Sequence, residues 1–112
     1  MLLSINNKAS ITLCGMMGSG KSVIGKILAN KLGYDFIDID KMIEIFAKKT
    51  ITKIFEEDGE LYFRDLEERV TISFLDNKKT IVSLGGGALD NKNTRNSIKK
   101  YSYNIYLKVN VD

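Results

Sequence analysis

The strongest chemical signal in the chain lies near its N-terminus. Gly15-Met16-Met17-Gly18-Ser19-Gly20-Lys21-Ser22 satisfies the phosphate-binding pattern G-x-x-x-x-G-K-[ST]. Glycines in such a loop let backbone N–H groups turn inward around phosphate oxygens, and the following helix adds its positive N-terminal end. The pattern assigns Gly15, Met17, Gly18, Ser19, Gly20, Lys21 and Ser22 to nucleotide binding. Lys21 is expected to reach the β- and γ-phosphates, and the Ser22 hydroxyl to ligate Mg²⁺. With 9 Gly, 14 Lys and 14 Ser plus Thr in 112 residues, the pattern arises by chance in about one such chain in a hundred. A merely Gly-rich turn is therefore the weaker explanation.

Four further features could work beside bound phosphates. Asp38 and Asp40 stand at i and i+2, and in an extended chain both carboxylates would point the same way, toward a metal and a hydroxyl nucleophile. The plainer alternative is that Asp40 caps the next helix. Gly85-Gly86-Gly87 offers bare backbone that a ligand can approach closely, or else a flexible turn. Arg64 is one of only three arginines among 17 basic residues. Its two-pronged planar donor suits a carboxylate, with a surface salt bridge to Asp65, Glu67 or Glu68 as the competing explanation. Phe55, Tyr62 and Phe63 could line a substrate, although aromatics on an apolar helix face more often belong to a core.

These residues need a frame. Ser10–Cys14, Asp35–Ile39, Thr80–Leu84 and Asn104–Val109 read as strands, being short, apolar and closed by Gly or polar residues. Lys21–Leu32, Lys41–Lys48, Ile51–Glu57, Glu60–Leu75 and Asn91–Lys100 read as helices, with Gly33 ending the first and Thr50 capping the third. Strands alternating with helices predict an α/β domain over residues 1–112, an open, mostly parallel sheet with helices on both faces. Ligands bind such sheets at the carboxyl ends of the strands. The phosphate loop, the acidic pair and the glycine triplet each follow a strand, so all three should meet at one edge. Cys14 reads as an inert buried thiol. Gly25, inside a helix, points to close packing on the sheet.

Composition narrows the remaining possibilities. The chain has no His and one Cys, which excludes His-based triads, Cys-rich zinc sites and an internal disulfide. A net charge of +3, spread mostly as Lys, reads as a solvated surface and gives no support for nucleic-acid binding. No apolar run approaches the ~20 residues of a membrane span, and the N-terminal segment has no signal-peptide pattern. A cytoplasmic monomer acting on small molecules is the expectation.

Taken together, GMMGSGKS at 15–22, DID at 38–40, IFEEDGELYFRDLE at 54–67 and GGG at 85–87 resemble shikimate kinases. The resemblance runs from about Ser10 to Val109. Its most specific part is G-E-x-x-F-R-x-x-E (Gly59, Glu60, Phe63, Arg64, Glu67) followed by the triple glycine. The resemblance implies a phosphate-loop fold of the nucleoside-monophosphate-kinase type, with ATP and Mg²⁺ as cofactors and shikimate as substrate. It implies that Lys21 and the 15–22 loop hold ATP, that Ser22 and Asp38 serve the metal, and that Asp40 binds the reacting hydroxyls and accepts a proton. Arg64 would bind the shikimate carboxylate and Gly86 a ring hydroxyl, with Glu67, Gly85 and Gly87 lining the pocket.

Members of the family continue beyond the fourth strand. The continuation holds a mobile lid, a fifth strand and a final helix, and supplies two more arginines and an adenine loop. A chain of 112 residues ending at Asp112 is therefore expected to be a truncated form, with the last strand and lid missing and turnover weak or absent. Three alternatives remain: another small phosphate-loop kinase such as a gluconate kinase, a nucleotide-binding remnant without turnover, and a purely structural α/β domain.

Overall fold

The computed structural model describes residues 8–15 and 19–108. Met17 and Gly18 of the phosphate loop, and Val109 of the expected fourth strand, lie outside them. Four short strands form one wholly parallel sheet in the order β2-β3-β1-β4: β1 (Ser10–Gly15), β2 (Asp35–Asp38), β3 (Thr80–Ser83) and β4 (Ser102–Leu107). β1 and β3 pair from Ser10↔Thr80 to Leu13↔Ser83, and the Leu84 N–H donates to the Leu13 carbonyl at 2.9 Å, carrying the ladder one residue past β3.

Side chains of the two central strands alternate between faces, as a strand buried on both sides requires. Leu13 and Ile81 face α1 (Ser19–Leu32) and meet Ala29 there. Cys14 and Val82 face the other way. Their cluster includes Ile39 and Ile43 of α2 (Ile39–Ala47) and Ile54 of α3 (Ile51–Asp58). It also takes in Phe63, Leu66, Val70 and Leu75 of α4 (Glu60–Leu75), and Ile98 of α5 (Lys92–Tyr101). Helices thus cover both faces, one on the first and four on the second. The chain leaves β1 toward β2 and leaves β3 toward β4, in opposite directions. A crevice opens between the carboxyl ends of β1 and β3, where open α/β sheets bind ligands.

The differences from the sequence expectations have local causes. The second strand ends at Asp38, one residue early, because Asp38 caps α2: its Oδ1 accepts from the Lys41 N–H at 3.3 Å. Ile39 then takes the first helical position and packs, fully buried, on the same helix face as Ile43. Asp38, rather than Asp40, is therefore the cap, and the two acids are presented by a strand-to-helix turn instead of an extended segment. A short 3₁₀ turn (Ala88–Asp90) follows the glycines, and Asn91 caps α5 by accepting from the Thr94 N–H at 2.9 Å. β4 starts at Ser102, immediately after α5. The Ser102 hydroxyl donates to the Ser10 carbonyl at 3.1 Å, fastening the strand's first residue to β1.

Gly25 is where α1 comes closest to the sheet. An ideal Cβ there would overlap the Phe36 ring and sit 3.1 Å from Leu13 Cδ1. In an open helix Gly→Ala gains about 1 kcal/mol, but overpacking a core costs about 1–3 kcal/mol. Gly25→Ala is predicted to lower the urea midpoint, and an unchanged or raised midpoint would show that α1 is not seated this tightly.

Candidate functional site

Lys21 and Ser22 lie in the first turns of α1, where the phosphate loop expected them. The Ser22 hydroxyl donates to Asp38 Oδ2 at 3.0 Å, so the start of α1 and the end of β2 are joined by a direct side-chain bond. A hydroxyl and a carboxylate are hard oxygen donors. Mg²⁺ takes one or two such protein ligands and completes its shell with water and phosphate oxygens. The Ser22–Asp38 pair fits that ion. No cluster of three or more His, Cys, Asp or Glu suited to a protein-only metal cage occurs among the described residues.

The glycine triplet is shaped by its own neighbours. An ideal Cβ on Gly85 would stand 2.8 Å from both Asp40 Oδ1 and Glu67 Oε2. One on Gly87 would overlap Arg64 Nη1 and approach Nη2 to 3.1 Å. Gly86, between them, is exposed and has nothing within 4 Å of such a position. Two glycines therefore admit the protein's own charged groups, and the middle one leaves its backbone open. On one side lies a cavity of about 320 Å³, lined by Glu60, Arg64, Glu67, Gly87, Asp90 and Asn91. Another of about 210 Å³ includes Gly15, Gly85, Gly86 and Tyr106 in its wall.

Charges in the site balance against burial. Arg64 Nη1 donates to Glu67 Oε1 at 3.0 Å, and Glu60 Oε2 lies 3.6 Å from Arg64 Nε. Burial pushes the Glu67 carboxyl above its ordinary range; Arg64 opposes that, while the Asp40 charge adds to it. Asp40 is exposed, yet loss of part of its surrounding water raises its pKa, and Asp38 adds to the rise. Lys21 and Arg64 both pull it back. Lys21 and Arg64 thus each favour the ionised form of the same carboxylate.

The structure thus gathers Lys21, Ser22, Asp38, Asp40, Arg64, Glu67 and Gly85–Gly87. Gly15 adopts φ 108° with the Leu107 backbone against it, a position open only to glycine. Gly20 lies in the first turn of α1, and that helix starts at Ser19. Phe63 is core and stacks on Phe55 with ring centres 4.7 Å apart, while the Arg64 guanidinium lies 5.3 Å from the Phe63 ring centre. Tyr62 is exposed and Cys14 buried. Sequence reasoning missed Glu60, Asp90 and Asn91 as cavity residues. Glu60 carried a usable signal, standing four residues before Arg64 on one helix.

A parallel α/β sheet with this loop, acidic turn and glycine-lined strand end belongs to the phosphate-loop kinase class of folds. The family model described as shikimate kinase matches residues 17–112, and the chain belongs to the shikimate kinase family. A curated shikimate kinase of Chlorobium phaeovibrioides is 51% identical over 98 residues, which are 88% of this chain and 50% of that protein. The solved shikimate kinase of Acinetobacter baumannii, in complex with shikimate, superposes with a TM-score of 0.87 at 34% identity, covering 96% of this chain and 60% of that one. The chain spans about half the length of the curated relatives it matches. A gluconokinase from Sinorhizobium meliloti, at 19% identity and a TM-score of 0.54, shares the fold alone.

Asp40 gives the site a measurable pH signature. Its folded pKa lies above the ordinary 3.8, so the native state holds this proton more tightly than the unfolded chain. Stability from this group is greatest below that value and is lost as pH rises through the folded pKa. Asp40→Asn is predicted to raise the urea midpoint at neutral pH, by a margin that shrinks toward pH 3.8. A margin that stays flat with pH would contradict the assignment.

Proposed function

We propose that this chain is the nucleotide- and substrate-binding part of an ATP-dependent kinase that phosphorylates the 3-hydroxyl of shikimate, on the route to aromatic amino acids. The observation that carries the proposal is the meeting of Asp40 and Glu67 at Gly85, with Arg64 bonded to Glu67 and Ser22 bonded to Asp38. Mg²⁺-ATP, when bound, supplies the transferable phosphoryl group and the metal charge that offsets its negative oxygens.

This chain's own residues then have distinct tasks. The 15–22 loop and Lys21 hold the phosphates, and Ser22 and Asp38 hold the metal. Asp40 accepts a hydrogen bond from the reacting hydroxyl and takes its proton onto a carboxylate oxygen. A raised pKa brings that base closer to working pH, which favours proton acceptance. Arg64 grips the substrate carboxylate, and Glu67, its side chain 6% exposed, fixes the guanidinium against Gly87. Gly86 offers its backbone to a ring hydroxyl, and Gly85 lets Asp40 come close. Positioning and charge account for the catalysis, since phosphoryl transfer asks for little covalent chemistry from the protein.

The relatives are about twice as long, and the described residues around Arg64 hold three carboxylates (Glu60, Glu67, Asp90) against that one cation. On this reading the 112 residues form a single domain that binds both ligands. The chain acts as a cytoplasmic monomer without nucleic-acid or membrane partners; no described helix is long and apolar enough to cross a membrane. A gluconate kinase is disfavoured by the F-R-x-x-E and triple-glycine residues, of which Arg64, Glu67 and Gly87 line the cavity.

Calorimetry with separate ligands tests the assignment. Arg64→Lys is predicted to weaken shikimate binding about tenfold, roughly 1.4 kcal/mol for one charge-assisted bond, with Mg²⁺-ATP affinity unchanged. Lys21→Ala is predicted to do the reverse. Shikimate binding that ignores Arg64→Lys, or stronger binding of gluconate than of shikimate, would overturn the proposal.

A further inference from the structure

Arg64 is not free to meet a ligand on every side. Nη1 is committed to Glu67, a buried carboxylate that would be left without its charged partner if the bond broke. Nη1 is also the nitrogen nearest Gly87: an ideal Cβ there would overlap it and stand 3.1 Å from Nη2. The edge that carries Nε is the one a ligand can take, and Glu60 Oε2 stands 3.6 Å from it. Glu60 is different in kind from Glu67. It sits in the first turn of α4 with its side chain 67% exposed, on the wall of the 320 Å³ cavity, and can turn into water at little cost.

We propose that Glu60 is an internal competitor for the ligand's carboxylate: it occupies the Nε edge of Arg64 and must swing out to solvent before a carboxylate can bind there. The two glutamates then divide the work. Glu67 orients the guanidinium from beneath, and Glu60 sets how strongly a carboxylate must bind to displace it. A ligand that uses Nε and Nη2 together regains what Glu60 gave up and adds a second parallel bond. A neutral ester, or an anion held through one oxygen, gains less. For shikimate this rests on the substrate reading above; the competition itself concerns any carboxylate.

The test follows the Arg64 Nε–H resonance in ¹⁵N-labelled protein, identified by its loss in Arg64→Lys. Acetate, shikimate and shikimate methyl ester are titrated into the unaltered chain, Glu60→Gln and Asp90→Asn. Asp90→Asn removes a charge from the same cavity wall, at a residue that forms no ion pair with Arg64 among the described contacts. Glu60→Gln is expected to shift the Nε–H signal before any ligand is added. It should also tighten acetate and shikimate about two- to fivefold, the worth of an exposed ion pair, and leave the ester unchanged. Asp90→Asn should give a smaller change. Equal or weaker carboxylate binding by Glu60→Gln, or an equal gain in Asp90→Asn, overturns the proposal. If shikimate binds neither protein while Glu60→Gln still tightens acetate, the substrate reading falls and the competition stands.

Discussion

A side chain at position 85 would have to displace two carboxylates, which stand where its first carbon would lie. Asp40 comes from the turn after β2 and Glu67 from the second turn of α4, and both lie 2.8 Å from where a Cβ would stand. Gly85 thus brings a carboxylate of α2 and one of α4 together at the carboxyl end of β3. The rest of the site follows from it. Glu67 holds Arg64 by a 3.0 Å bond, Arg64 rests on Gly87, and Gly86 is left with its backbone uncovered. Asp38, two residues before Asp40, is close enough to bind Ser22 of the phosphate loop.

Such crowding of like charges opposes folding, and the surrounding elements supply the compensation. Burial raises the cost of both Asp40 and Glu67; Asp38 and Glu44 add to that of Asp40 and Asp40 to that of Glu67, while Arg64 reduces both and Lys21 reduces that of Asp40. The site is anchored on the more heavily packed face of the sheet. Phe63 and Leu66, on either side of Arg64 in sequence, are buried there with Ile39, the residue between the two aspartates. The opposite face is thinner. Leu13, Ala29 and Ile81 form its centre, and Val23 and Ile27 of α1 remain more than half exposed. The stronger layer therefore positions the groups whose placement matters for chemistry.

Legibility from sequence followed the range of the physics involved. The phosphate loop and the alternation of strands and helices are set by neighbouring residues, and both could be read directly. The identity of the acidic pair was legible, but its geometry was not. Whether Asp38 continues a strand or caps a helix depends on Ile39 finding a buried place beside Ile43, a tertiary matter. The glycine triplet was legible as bare backbone, whereas its division into two positions for the protein's own charges and one open position depends on where α4 lies. Asp90 and Asn91 left no trace in the sequence, because their place on the cavity wall comes from the 3₁₀ turn after the glycines. Glu60 needed only helix spacing from Arg64 to be found.

The central claim is that one carboxylate, Asp40, is acted on by both the cation of the phosphate loop and the cation of α4. A ¹³C NMR titration of the Asp40 carboxyl tests it directly, in the unaltered chain and in Lys21→Gln and Arg64→Gln. The account predicts a pKa above the ordinary 3.8 that climbs further in both variants, since each removes a positive charge that favours the ionised form. A value at or below 3.8, or one that responds to only one of the two substitutions, would contradict it.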